Sequence, residues 1–222
     1  MKTYRDFEQM KEIQFYKEKF HSIQTSLQFM LKKQGIRNFM VTSANMSEGK
    51  SFTSANIAGI FAEKGNSTLL IDADFHRPSL RKYMQITENV GLIDCLMGDK
   101  TLMECTQETH LPNLRLMPTG IAPLNPGEWI DSLEMKQLIE DAKEQFDYVI
   151  IDAPPLLPIT DSRILSSLCD GVLFVTFAKK TKRSDIKQAM RYLEIADANV
   201  IGSVVNGVAT SKSDMKGYRY KY

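Results

Sequence analysis

The stretch that most limits what this chain can become is "NFMVTSANMSEGKSFTSANIAGIFAEKG", residues 38 to 65. A short apolar run ends in small polar residues, passes through Gly49-Lys50-Ser51, and continues as a helical pattern closed by Gly65. A buried strand, a glycine-bearing turn and a covering helix follow one another in this order in α/β proteins. The turn is one residue short of G-x-x-x-x-G-K-[ST], because Ala44 stands at the first glycine. Turns of this kind bind phosphate because consecutive backbone N–H groups and a helix N-terminus converge on one anion. Gly49 permits close backbone approach, Lys50 reaches the terminal phosphates, and the Ser51 hydroxyl ligates Mg²⁺. Asn45, Met46, Ser47, Glu48, Gly49, Lys50, Ser51 and Phe52 are therefore the expected nucleotide contacts.

The rest of the chain supplies a sheet for that turn. The pattern predicts a helix over 12–34 with Phe20, Ile23, Leu27 and Met30 on one face, stopped at Gly35. Strands are expected at 38–42, 67–74, 113–120, 147–155, 171–177 and 200–207. Helices are expected at 50–64, just after Pro78, within "GLIDCLM" and "TLMECTQ", and at 130–145, 160–168 and 183–196. "IAPLNPGEW" reads as a loop. Short unbroken apolar strands alternating with helices give a doubly wound, mostly parallel sheet with helices on both faces. Ligands of such sheets sit at the carboxyl ends of the strands. The 43–51 turn, Asp72, Asp74 and Asp152 all fall at such ends.

Two carboxylates one residue apart, directly after "LLI", repel unless a cation or proton lies between them. Transfer of a phosphoryl group to a hydroxyl uses such a pair, one Asp near Mg²⁺ and the other accepting the proton. Asp152 is either a Mg²⁺ carboxylate or a turn residue at a strand end.

Composition narrows the remaining classes. With 28 basic and 27 acidic side chains, no global charge draws the chain to nucleic acid. Cys95, Cys105 and Cys169 lack metal-ligand or C-x-x-C spacing and read as reduced thiols. The N-terminus is charged throughout, unlike a secretory signal. No apolar run nears the roughly 20 residues that span a bilayer. The expectation is an intracellular protein that meets a membrane only through a partner.

"ANMSEGKS", "LLIDAD" and "VIIDAPP" together resemble the motifs of the bacterial tyrosine kinases, over about residues 18 to 206. "GLIDCLMG" and "PLNPGEW" are similar to that family's intervening segments. The resemblance implies a P-loop NTPase fold of the MinD/ParA-like type and an ATP- and Mg²⁺-dependent kinase acting on tyrosines of itself and other proteins. It implies control of capsule or exopolysaccharide production and a separate membrane-spanning activator, with the chain held at the inner face of the membrane. By the same resemblance, Lys50 and Ser51 grip phosphate and Mg²⁺, and Asp72 activates the attacking hydroxyl. Asp74 and Asp152 hold the metal, and Asn206 either contacts adenine or is a turn residue. The implied organisation is an N-terminal helical segment at 1–35, a kinase domain at 36–208 and a tail at 209–222. In that tail Tyr218, Tyr220 and Tyr222 are the autophosphorylation targets.

The chain departs from the family in two places. The Arg expected two residues after Asp74 is His76, followed by Arg77. The helical E-x-x-R-x-x-R that joins subunits in a ring reads Glu18, His21 and Gln24, without either guanidinium. Homo-oligomerisation is thus left open. A MinD/ParA-type ATPase switch is the competing reading, but its signature lysine position is Asn45 and its glycines are Met46 and Ser47. A nucleotide-binding regulatory subunit with weakened catalysis is the third reading.

Overall fold

The computed structural model describes residues 4–121 and 124–208. The tail tyrosines Tyr218, Tyr220 and Tyr222 lie outside the described residues. In chain order the elements are α1 (Tyr4–Gln34), β1 (Asn38–Ser43), α2 (Lys50–Glu63), β2 (Thr68–Asp72), α3 (Leu80–Tyr83) and α4 (Leu92–Leu96). They continue with β3 (Gln107–Glu108), β4 (Leu114–Met117), α5 (Pro126–Ile130), α6 (Leu133–Gln145), β5 (Tyr148–Asp152) and α7 (Asp161–Leu168). β6 (Gly171–Phe177), α8 (Arg183–Ile195) and β7 (Val200–Asn206) complete the described fold.

The seven strands order as β3-β4-β2-β5-β1-β6-β7, parallel except for β3 at the edge. Alternate strand residues feed two cores, as the pleat requires. Phe39, Val41, Leu70, Ile150, Leu173 and Val175 pack under α1, α2 and α3. Met40, Leu69, Ile71, Val149, Ile151, Val172 and Phe174 pack under α4 to α8. α2 is buried on most sides because α1 covers its outer surface, with Phe20 edge-on to Phe52 at 5.6 Å. α1 and α2 stop in the same way. Gly35 and Gly65 take positive φ, while Ile36 and Asn66 donate back to Leu31 O and Phe61 O.

Three local expectations are corrected. The buried face of α1 runs Phe20, Gln24, Leu27, Leu31, not through Met30, which is 36% exposed. That 4-3-4 spacing follows the helical period better than 3-4-3, and it carries the polar Gln24 inward. "TLMECTQ" makes one turn, not a helix. Thr101 and Glu104 cap each other, and Cys105 N–H donates to Thr101 O. Arg115 then binds the Thr106 hydroxyl and carbonyl at 2.7 and 3.0 Å, turning the chain into β3 against β4. Finally, the proline-rich loop contains α5, where Pro126 occupies a first-turn position that lacks a helical N–H partner anyway. Ser132 caps α6 by accepting Met135 N–H at 3.1 Å, so the predicted 130–145 helix is split.

Candidate active site

At the end of β1 the backbone needs two left-handed residues to turn back into α2. Ser47 has φ +60° and Gly49 has φ +87°. A Cβ at Gly49 would overlap the Asn206 side chain, so this position requires glycine on two counts. Among the described residues, the N–H groups of Ser47 through Ser51 donate to no protein acceptor. Their carbonyl sides are tied down instead. Asn206 Nδ2, arriving from the end of β7, donates to Glu48 O at 3.0 Å, Gly49 O at 3.3 Å and Thr53 Oγ1 at 3.1 Å. A loop with free donors on one side and anchored acceptors on the other is an anion cradle.

The acidic residues meet it from the adjacent strands. β2 and β5 are in register so that Asp72 lies beside Asp152. Asp152 is fully buried. Its Oδ1 accepts from Ser54 Oγ at 3.0 Å, and its Oδ2 has no hydrogen-bond partner among the described residues. Burial raises its carboxyl, while Lys50 and the nearby Ser51 and Ser54 hydroxyls pull the other way. Two residues past β2, Asp74 receives the Lys50 ammonium at 2.6 Å and the Arg77 N–H at 2.9 Å. Burial pulls the Lys50 ammonium down, but Asp152, then Asp74 and Asp72, more than offset this and its pKa is raised.

Asp72 is placed differently. It is 1% exposed, its Oδ2 accepts the N–H groups of Ser79 and Leu80 at 3.0 Å each, and its Oδ1 faces Asp74 N–H at 3.3 Å. Burial and the neighbouring Asp152 charge push its carboxyl up to about 7 despite those three donors. A cavity of about 510 Å³ opens over Lys50, Asp74, His76 and Arg77, with Met46, Pro155 and Ile159 as apolar wall. Asp72 and Asp152 are buried and do not line it. His76 Nε2 sits 3.1 Å from Asp161 Oδ2 at its edge.

Among the described residues, no cluster of three or more His, Cys, Asp or Glu side chains is arranged to hold a metal ion alone. The Asp152 carboxylate, with one oxygen unpartnered and the Ser51 hydroxyl nearby, nevertheless fits a hard divalent cation that takes its remaining oxygens from a phosphate.

Several groups that shape the site had no sequence signal. Pro154 O, in the turn after β5, accepts from the hydroxyls of Thr42 (2.7 Å) and Ser162. Asn45 Nδ2 binds Asp185 Oδ2 at 2.9 Å, and Thr181 Oγ1 donates to Glu48 Oε1 at 2.6 Å. These partners lie far from the loop in sequence, and only the fold makes them neighbours. The side chain of Phe52 packs on α1, outside the cradle. At the positions of the missing ring arginines, His21 approaches Glu63 of the same chain at 3.9 Å and Gln24 is fully buried. No helix of the described residues is long and apolar enough to cross a membrane.

The family model described as AAA domain (AAA_31) matches residues 40–200. The chain is 33% identical to tyrosine-protein kinase YwqD of Bacillus subtilis over 201 residues, covering 90% of this chain and 85% of the relative. It is 34% identical to the putative tyrosine-protein kinase EpsB of Ralstonia nicotianae, covering 92% of this chain but only 27% of that longer protein. The kinase domain of the Escherichia coli tyrosine kinase ETK superposes with a TM-score of 0.83 at 28% identity, over 87% of this chain and 76% of that one. MinD of Pyrococcus horikoshii, complexed with Mg-ADP, shares the fold at a TM-score of 0.68 and 22% identity, covering 80% of this chain and 73% of that one. An anion cradle after β1, paired aspartates after β2 and a buried aspartate ending β5, set in a sheet shared with named tyrosine kinases, lead to one conclusion: the chain belongs to the bacterial tyrosine kinase family of P-loop proteins.

Proposed function

We propose that this protein is an ATP-dependent protein-tyrosine kinase that phosphorylates its own C-terminal tyrosines and takes part in regulating capsular or exopolysaccharide synthesis. The observation that carries the reading is the Lys50 ammonium, drawn towards Asp74, Asp152 and Asp72 beside a loop whose N–H groups are free. The free N–H groups of Ser47 to Ser51 receive the phosphates, and Lys50 bridges to the outermost ones. Ser51 and Asp152 would hold Mg²⁺, with Asp74 as a further carboxylate available to it. Bound there, the cation neutralises charge developing on the transferred group. Asp72 has a carboxyl in the range suited to accepting a proton near neutral pH. Its burial means that the turn at 74–80 must open before a tyrosine hydroxyl touches it. Asn206 has its amide N–H groups on the loop, which leaves Oδ1 as the atom for an adenine amino group.

Tyr218, Tyr220 and Tyr222 are the proposed self-substrates, and each phosphate would add about −1.5 to −2 charges to a basic segment. A membrane-spanning partner, acting through its cytoplasmic segment, activates the kinase and keeps it at the inner face of the membrane. Other protein tyrosines are further substrates, and assembly with further copies belongs to the same proposal.

The ATPase-switch reading is weakened at one residue. At the position of the switch lysine, the Asn45 amide is engaged by Asp185 within the same chain. The test is transfer of labelled γ-phosphate by wild type and Lys50→Met, with and without the cytoplasmic activator segment. Mass spectrometry of the tail accompanies it. Lys50-dependent phosphotyrosine supports the proposal; release of free phosphate alone, or binding without turnover, overturns it.

A further inference from the structure

Ser47 is a non-glycine residue held at φ +60°, in the region where a side chain crowds its own backbone. Such a conformation persists only when its surroundings over-determine it. The contact that does so comes from the turn between β6 and α8. Lys180 Nζ donates to Ser47 O at 2.8 Å and to Met46 O at 3.2 Å. The chain contains no cis peptide among the described residues, so each of these peptide units points its N–H away from its carbonyl. Pinning Met46 O and Ser47 O towards Lys180 therefore turns the N–H groups of Ser47 and Glu48 to the opposite side.

The same turn and the first turn of α8 each grip the loop once more. Thr181 holds Glu48 Oε1, whose partner oxygen accepts Asn45 N–H at 3.1 Å, and Asp185 holds the Asn45 amide. We infer that Lys180 is a positioning residue for the phosphate loop: its ammonium fixes Ser47 in the left-handed conformation and thereby aims two backbone donors at the bound phosphate. This rests on the reading of residues 45–52 as a phosphate site. Lys180 has no part in that site by sequence motif. It lies more than a hundred residues away and is exposed, where a lone lysine contact contributes little to stability. Its leverage comes from the strained residue it holds.

The test is titration of a fluorescent ADP analogue, with Mg²⁺, into wild type, Lys180→Ala, Ser47→Gly and the double variant, with urea unfolding of each. Lys180→Ala is expected to weaken binding by about tenfold at an unchanged urea midpoint. Glycine occupies the left-handed region without cost, so Ser47→Gly in the Lys180→Ala background restores most of the affinity. Binding by Lys180→Ala indistinguishable from wild type overturns the inference. So does a loss that glycine leaves unrepaired, because the ammonium then acts on the phosphates directly. A urea midpoint that drops together with affinity also overturns it, reducing the contact to a brace of the fold. If wild type itself takes up no analogue, the phosphate reading of the loop fails and carries this inference with it.

Discussion

The turns that follow β1 and β2 leave the same rim of the sheet and treat their backbone donors in opposite ways. After β1 the carbonyls are bound by Asn206 and Lys180, while the N–H groups of Ser47 to Ser51 stay free. After β2 the turn binds its own donors with its own anions: Asp72 takes the N–H groups of Asp74, Ser79 and Leu80, and Asp74 takes that of Arg77. One turn leaves its donors unanswered by the protein, and the other is internally satisfied. Lys50 spans them, rooted in the first and paired with Asp74 of the second. The difference teaches that a capacity for anion binding follows from which side of the peptide the protein leaves unanswered, more than from how many charges line the rim.

The sharpest way to break this contrast is to remove the residue that joins the two turns. Lys50→Met is expected to lower phosphoryl transfer by roughly a hundredfold or more, read as initial rates of phosphotyrosine formation. A smaller drop would show that the free N–H groups suffice alone.

The second turn is tested by pH. With the Asp72 carboxyl raised from 3.8 to about 7, the folded protein keeps a proton through that window that the unfolded chain has released. Stability therefore falls as pH rises from about 4 to 7, with this group contributing a slope of up to about 1 kcal/mol per pH unit. Asp72→Asn removes that contribution, so urea midpoints of the variant should fall less steeply across the window. Parallel profiles for the two proteins would refute the assignment.

Gly49→Ala probes the first turn. With φ at +87° and the Asn206 amide in the way, it should cost about 2 kcal/mol in urea unfolding and weaken nucleotide uptake as well. The smallest effect is expected at the neighbouring β5 turn. Thr42→Val removes one of two hydroxyl donors to Pro154 O and should cost about 1 kcal/mol by the same measurement, leaving transfer rates close to wild type.

Much of this was legible in the residues. "NFMVT", "GVLFVTF" and "DYVIIDAPP" read as buried parallel strands, since each carries an unbroken apolar run bounded by turn residues. Gly-Lys-Ser between strand and helix marked the turn whose N–H groups the fold leaves free. The expectation failed at "TLMECTQ", where Arg115, later in the chain, competes for Thr106 and draws the segment onto the sheet edge. It also failed along α1, where Gln24 is turned into the core and Met30 out of it.

What the sequence alone determined was the alternation of strands and helices, the glycine-bearing turn between β1 and α2 and the acidic residues at the strand ends. These are local patterns enforced by backbone periodicity and by the conformational freedom of single residues. Tertiary structure alone decided that Asp72 is sealed behind Asp74, that Asp152 keeps one oxygen without a partner, and that Lys180, Thr181, Asp185 and Asn206 reach the loop from the far half of the chain. Burial and hydrogen-bond geometry depend on which strands become neighbours, and strand order is set by the packing of the whole sheet.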